Sequence, residues 1–370
     1  MSNLFDYLVW RGDLSFGNAP LCPVDALLFS ALSYVPLESE LSPDPKAEPE
    51  RLSALAQRLF ARGTKSKQDA LLRAMAESGR FGALRLFAAQ SELCREDGIQ
   101  FAAYSLLLPG QQMFVCFRGT DDTLVGWRED LRMSYDCPVP AQLRAVEYLR
   151  TVAAAYPLRR IFVGGHSKGG NLAMYAAVNA GPDVRERIRR VFNHDGPGFC
   201  DDTRATLAYR EMRERIDTYV PQSSIVGVLL EHDTDYHIVK SDAKGLAQHD
   251  PLSWQVLGTD FEYAAERTAF GVRTEAILDR VINSFSPERR RLFTEALFTV
   301  LEATEQQTLS GILSNKGKSL KNALRGFANL DEPVREVLVE AVAALSEASA
   351  HVRRADKKRL ALLEQTPKAE

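Results

Sequence analysis

No stretch of the chain approaches the roughly 18 consecutive apolar residues that a membrane-spanning helix requires, so no transmembrane segment is expected. The opening "MSNLFDYLVWRGDLSF" offers no basic region, long apolar run or small-residue cleavage site, which argues against a secretory signal. Cysteine is sparse. Cys22, Cys94, Cys116, Cys137 and Cys200 are an odd number without metal-ligand spacing, which excludes a regular disulfide framework and fits a reduced, cytoplasmic location. A dominant charge is missing too: 46 basic against 49 acidic residues give a formal net charge of −3, with a pI near 6.2. That balance gives no electrostatic reason to expect nucleic acid or an anionic membrane as the main partner. The local basic runs "ERRR" at 288–291 and "RRADKKR" at 353–359 read as solvated helix faces. There is no internal repeat and no low-complexity tract.

The residues present read as an ordinary globular chain of 370 residues, long enough for a large unit and a smaller one. "PVDALLFSALSYVPL" at 23–37 has helical apolar spacing, and the pattern is again helical from 51 to 89. At 99–120, "IQFAAYSLLLPGQQMFVCFRGT" reads as a β-hairpin turning at "PGQQ". Strand-like runs then alternate with helical stretches: "RRIFVGG", a helix at 171–179, "IRRVFNHDGPG", a helix at 204–215, "RIDTYVP" and "DYHIVKSD". This alternation predicts βαβ units, a mostly parallel buried sheet and an α/β fold class. Past about residue 267 the strand-like runs stop and amphipathic helices follow, so the expected division is 1–265 and a helical region 266–370.

The chemistry concentrates at 159–178, "RRIFVGGHSKGGNLAMYAAV", where Gly165-His166-Ser167-Lys168-Gly169 matches G-x-S-x-G between a strand and a helix. Glycines two residues either side of the serine let strand and helix nearly touch while the serine sits in a strained turn. Neither the P-loop nor the G-x-G-x-x-G spacing is met, and neither metal nor organic cofactor is expected. Ser167 is the candidate nucleophile. The candidate oxyanion donors are the backbone N–H groups of Lys168, immediately after it, and of Thr120, past the strand ending in "FRGT". Trp127 and Asp130 are expected to anchor that second loop.

A serine hydroxyl needs a base oriented by a carboxylate. Asp195, in "VFNHDGPGF", follows the next predicted strand and is the leading acid, with Asp217, Asp233 and Asp235 as alternatives. His249, in "GLAQHDPLSW", follows the last predicted strand and is the leading base, with His237 second. His166 and His194 are expected to turn away from the nucleophile; His232 flanks a strand and His351 lies in the helical tail.

At these residues the chain resembles the α/β-hydrolases, and more closely the class 3 lipases, through "FRGT" and "GHSKGGNLA". It resembles still more the bacterial Mbeg-like family of lipase-like hydrolases, through "DYLVWRGDLSF", "VDALLFSALSYVP", "GHSKGGNLA", "YVPQSSIVGVLL" and "QHDPLSW", over roughly residues 3 to 265. The resemblance implies an α/β-hydrolase fold with a serine-hydrolase core. It also exposes two departures. Class 3 lipases carry their acid after the strand matching "RIDTYVP", where this chain has Ser223-Ser224, so the acid has moved to Asp195 or the triad is incomplete. Lys168 stands where leucine is usual, and a charge beside the site mouth would favour anionic or polar acyl substrates.

Two functions are consistent with this pattern. The first is an intracellular lipase-like or esterase-like serine hydrolase taking a small-molecule or lipid ester, with the helices on either side of the core shaping an acyl pocket. The second is a hydrolase-fold protein that has lost its chemistry and works as a binding or scaffolding module. Peripheral membrane contact through the basic helical tail stays open, without a positive indication, and the sequence does not specify an oligomeric state.

Overall fold

The structure is a computed structural model, and it describes residues 2–63, 68–199, 201–230 and 235–365. The elements run in chain order from α1 (Leu4–Arg11) and α2 (Pro23–Leu32) to β1 (Glu50–Arg51), α3 (Leu52–Ala61), α4 (Asp69–Glu77), β2 (Arg85–Cys94), β3 (Ile99–Leu108) and β4 (Gln112–Phe117). Next come α5 (Leu124–Arg132), α6 (Pro140–Ala155), β5 (Arg160–His166), α7 (Lys168–Asn179), α8 (Pro182–Arg187) and β6 (Ile188–His194). They are followed by α9 (Asp201–Arg204), α10 (Leu207–Met212), β7 (Ile216–Pro221), β8 (Tyr236–Val239), β9 (Val256–Leu257) and β10 (Asp260–Phe261). The chain then turns wholly helical, with α11 (Ala269–Ser284), α12 (Pro287–Glu302), α13 (Leu309–Ser314), α14 (Lys316–Ala328) and α15 (Glu332–Gln365).

Among the described residues β1 to β8 form one sheet in sequential order, antiparallel from β1 to β4 and parallel from β4 to β8. That order has a steric consequence. Right-handed crossovers stepping always in one direction put all their helices on one face of the sheet. Accordingly α6, α7 and α10 share a core with β3 to β6 on one side, including Leu149, Leu172, Val163 and Met212. The opposite face, left bare by the crossovers, is covered by α1 to α4, whose Leu27, Phe29 and Leu32 pack with Phe114 and Phe192 of the sheet. The N-terminal helices are therefore the second wall of the core, and the whole is an α/β-hydrolase fold.

The hairpin and the alternating segments stand where the sequence pattern puts them. The stretch before them does not stay helical: 85–94 is a strand, despite the leucines and alanines of "LRLFAAQ". Those residues favour helix in isolation, but pairing with β3 and burial of Leu86, Phe87, Ala88 and Ala89 decide otherwise. Likewise, 201–215 is two short helices and a 3-10 turn. Among the described residues no helix is long and apolar enough to cross a membrane.

Candidate active site

Ser167 stands between the last residue of β5 and the first of α7 with φ 58° and ψ −134°, a conformation non-glycine residues rarely adopt. A β-carbon on Gly165 would lie 2.2 Å from the carbonyl oxygen of Gly169, and one on Gly169 would lie 2.2 Å from that of Phe117. Only glycine at both positions lets β4, β5 and α7 close around the serine. The Ser167 amide donates to His194 O at 2.9 Å, tying the turn to the end of β6.

Asp195 follows β6 directly, fully buried and also at positive φ (54°). Its Oδ2 accepts from His249 Nδ1 at 2.6 Å. Its Oδ1 accepts from the Gly227 amide at 3.2 Å and from the hydroxyl of Ser224. With Nδ1 committed to a carboxylate, Nε2 is the basic nitrogen the His249 ring has left. Ser224, of the Ser223-Ser224 pair that follows β7, thus holds the carboxylate that follows β6.

His249 ends a 3-10 turn held on both flanks. Gln248 accepts from the Ser223 amide at 2.7 Å and donates to Ala243 O at 3.1 Å, while its carbonyl accepts from the buried Trp254 indole at 3.0 Å. The carbonyl of His249 itself accepts from His166 Nε2 at 2.7 Å, and Tyr34 donates its hydroxyl to His166 Nδ1 at 2.9 Å. Burial, seconded by the neighbouring His249, pushes the His166 pKa well below its usual 6.5. His166 is thus a neutral bridge that fixes the loop of the other histidine.

The remaining candidates lie elsewhere. His194 is a core residue bonded to Ser30 Oγ at 3.0 Å, its pKa pushed down to about 3 by burial. Asp217 pairs with Arg190 at 3.1 Å, His237 stacks on Tyr219 at 5.2 Å between ring centres, and Asp235 and His351 are exposed. His232 and Asp233 lie outside the described residues.

On the other side of Ser167, a β-carbon on Gly119 would come within 2.5 Å of His166 O and 3.0 Å of Ser167 Cβ, so the Gly119 backbone lies against Ser167. The next residue, Thr120, donates its hydroxyl to Asp130 Oδ2 at 2.6 Å. Lys168 opens α7, where an N–H has no acceptor within its own helix.

The Lys168 side chain does not act as the sequence suggests. It is 1% exposed and runs inward to Glu129 Oε2 at 2.9 Å and Gln100 O at 2.8 Å. Glu129 also accepts from the amides of Gln100 (3.1 Å) and Ala141 (2.9 Å). Paired in this way, the ammonium presents no free charge at the mouth and gives no preference for anionic acyl groups. It joins α7 to the strand and helix around the Thr120 loop instead.

Asp130 has more than an anchoring place. Its Oδ1 is shut off from solvent without a partner, and the residue lines the cavity beside Ser167. Burial raises its pKa to about 6, opposed in part by the Lys168 charge. Because the protonated form is favoured in the fold, its contribution to stability is full below the ordinary 3.8 and is lost as pH rises through about 6. Urea unfolding of Asp130→Asn against wild type should therefore move in the variant's favour across that window. A difference flat with pH would mean that Asp130 keeps its charge throughout.

The cavity, of about 220 Å³, opens beside Ser167 and is otherwise nearly all apolar. Its wall includes Leu131 of α5, Leu229, Val281 and Ile282 of α11, Phe285, and Phe293 of α12. The C-terminal helices thus supply a large part of the lining. They are held over α5 by Leu124 N to Gln307 O at 2.9 Å, Arg128 to Glu302 at 3.5 Å and Arg290 Nη1 to Ser134 O at 2.7 Å. Among the described residues no group of three His, Cys, Asp or Glu side chains is placed to hold a metal ion.

A family model described as Mbeg1-like matches residues 75–299, more than half of the chain. The chain belongs to the Mbeg1-like family. No curated protein matches this Mbeg1-like chain. Solved structures similar to it include lipase II from Rhizopus niveus, at 15% identity and a TM-score of 0.38 over 65% of this chain and 84% of that one. Two others are the native Rhizomucor miehei lipase propeptide complex (15%, 0.37, over 64% and 80%) and the lipase from Rhizopus microsporus var. chinensis (16%, 0.35, over 65% and 79%).

Of Ser167, Asp195, His249, Thr120 and Lys168, the fold joins Asp195 to His249, lays the backbone just before Thr120 against Ser167 and puts Lys168 at the head of α7. Not foreseen from the sequence are Ser224 as a partner of Asp195, Tyr34 and His166 as the support of the His249 loop, and the Lys168–Glu129 pair. Ser224 had a signal, since it stood out as a departure. The others make contacts across 39 to 132 residues of chain, for which no local pattern exists.

Proposed function

We propose that this chain is a serine hydrolase of carboxylic esters, lipase-like or esterase-like, in which Ser167, His249 and Asp195 form the triad. The observation that carries this reading is the 2.6 Å bond between His249 Nδ1 and Asp195 Oδ2 beside a serine held at positive φ. Ser167 Oγ attacks the acyl carbon as His249 Nε2 takes its proton, and the amides of Thr120 and Lys168 hold the oxyanion. His249 returns the proton to the leaving alkoxide. A water deprotonated by the same nitrogen then adds to the acyl carbon, and the bond to Ser167 Oγ breaks as that oxygen takes the proton back from His249, releasing the acid. Asp195 stays ionised and holds the imidazole in the required tautomer. The steps need neither metal nor organic cofactor.

The apolar wall supports an ester with a hydrocarbon acyl group. Taking a methylene as about the size of a water, ~30 Å³, the cavity holds roughly seven. In this reading residues 1–265 supply the chemistry and 266–370 supply much of the acyl wall. The test is labelling by a fluorophosphonate probe together with hydrolysis of p-nitrophenyl esters of increasing chain length. Wild type is expected to be labelled at Ser167 and to hydrolyse them, while Ser167→Ala does neither; a wild type inert in both assays overturns the proposal. Val281→Phe, which fills the cavity from α11, is expected to shift the optimum to shorter chains with labelling intact, as read from kcat/KM across the series.

A further inference from the structure

In a water-soluble protein an amphipathic helix turns its leucines to the core and its charges to solvent. Helix α14 leaves leucines and charges alike in solvent. It sits on α12 through Ser319 and Gly326, both buried, so closely that a β-carbon on Gly326 would lie 2.7 Å from Ala303 Cβ. Leu320 and Leu324, one turn apart, are left 62% and 61% exposed, and Leu313 of the adjoining α13 is 63% exposed. The charge around them has one sign. From 306 to 330 the chain carries Lys316, Lys318, Lys321 and Arg325 and no acidic residue. All four cations are exposed. Acidic groups that meet the segment from outside it include Glu305, bonded to Lys318 at 2.9 Å with both side chains about two-thirds exposed, and the exposed Asp122, whose carboxylate accepts from Ser310 at the start of α13.

We infer that the α13–α14 face docks on an anionic lipid surface, its leucines entering the headgroup boundary while the four cations meet lipid phosphates. The combination of unburied leucines on one side with flanking lysines and arginine is what such a surface recognises. A neutral apolar partner would gain nothing from the cations, and a free anion would gain nothing from the leucines. The exposed face of α15, with Val339 and Val342, carries Glu336 and the Arg289–Glu340 ion pair where α14 carries four cations, so the contact is assigned to α13–α14. This inference stands apart from the esterase reading, since it concerns where the protein sits and not what it cleaves.

Vesicle flotation of the full chain tests it, using phosphatidylcholine vesicles with and without phosphatidylglycerol. Wild type is expected to float with the anionic vesicles and not with the neutral ones, and to be released by added salt. Each cation near such a surface strengthens binding about fivefold, so replacing Lys316, Lys318, Lys321 and Arg325 together by Gln should abolish flotation. Leu320→Gln with Leu324→Gln should weaken it at least about tenfold, since two apolar side chains lose their insertion. Glutamine keeps the helix, and unchanged melting temperatures are the check on folding. Val339→Gln with Val342→Gln should leave flotation as in wild type. Failure of wild type to float overturns the inference, as does flotation indifferent to both α14 variants. A dimer in light scattering that the leucine variants dissolve, with no vesicle binding, assigns the face to a second copy and equally overturns it.

Discussion

Asp195→Asn is expected to lower kcat on the preferred ester by about 10⁴-fold with KM little changed, because an amide facing Nδ1 forces the wrong tautomer on the base. The size of the loss follows from the environment. Asp195 is fully buried, its Oδ2 is 2.6 Å from His249 Nδ1, and Oδ1 already holds Ser224 and Gly227. There is no second carboxylate among the described residues bonded to that ring, so nothing takes over. Ser224→Ala should be far milder, about tenfold, since the Gly227 amide still holds the same oxygen and only one hydrogen bond is lost. Steady-state kinetics with matched melting temperatures decides the matter. If Asp195→Asn keeps activity within about tenfold of wild type, the acid is another residue and the Ser224 bond is merely structural.

The second large effect concerns stability. Lys168→Met leaves Glu129 buried without its cation and should cost about 3–5 kcal/mol, the range for breaking a buried ion pair from one side. Glu129 would keep the amides of Gln100 and Ala141, which is why the fold is expected to survive the loss. Adding Glu129→Gln removes the uncompensated charge and keeps an acceptor for one of the two amides, which bond to different oxygens, so the double variant should recover part of the loss and be more stable than Lys168→Met alone. Urea unfolding of the wild type, both singles and the double closes the cycle. A single-variant cost below about 1 kcal/mol would mean the pair is solvated and holds nothing together. The choice of lysine at this position then makes physical sense. Where a leucine would only fill space, the ammonium ties the first residue of α7 to Glu129, the neighbour in sequence of the Asp130 that holds Thr120.

Much of this protein was legible from residue order alone, and for a physical reason. Alternating strand and helix patterns are local, with a period of two or near 3.6, and they specify a parallel α/β sheet wherever they recur in turn. The elbow is equally local. Gly165, Ser167 and Gly169 have to occur at that spacing because β5 and α7 approach within atomic contact, so five residues announce a strained turn and the serine it presents. Chain order after the elbow then directed attention to Asp195 and His249. The strand at 85–94 was illegible because its residues prefer helix and only β3 makes it a strand.

What tertiary structure decided is where long side chains end and which distant residues share a space. Lys168 reads as a charge at a mouth until its neighbours across 39 residues turn it inward, and Ser224 reads as a missing acid until it meets Asp195 across 29. The cavity wall from α11 and α12, and the leucines that α14 leaves in water, depend on how helices pack and not on how they are spelled. Local pattern encodes which element forms and where a turn must be strained. The pairing of charges, the shape of a cavity and the exposure of a helix face are set by contacts between segments far apart in the chain, which only the folded molecule defines.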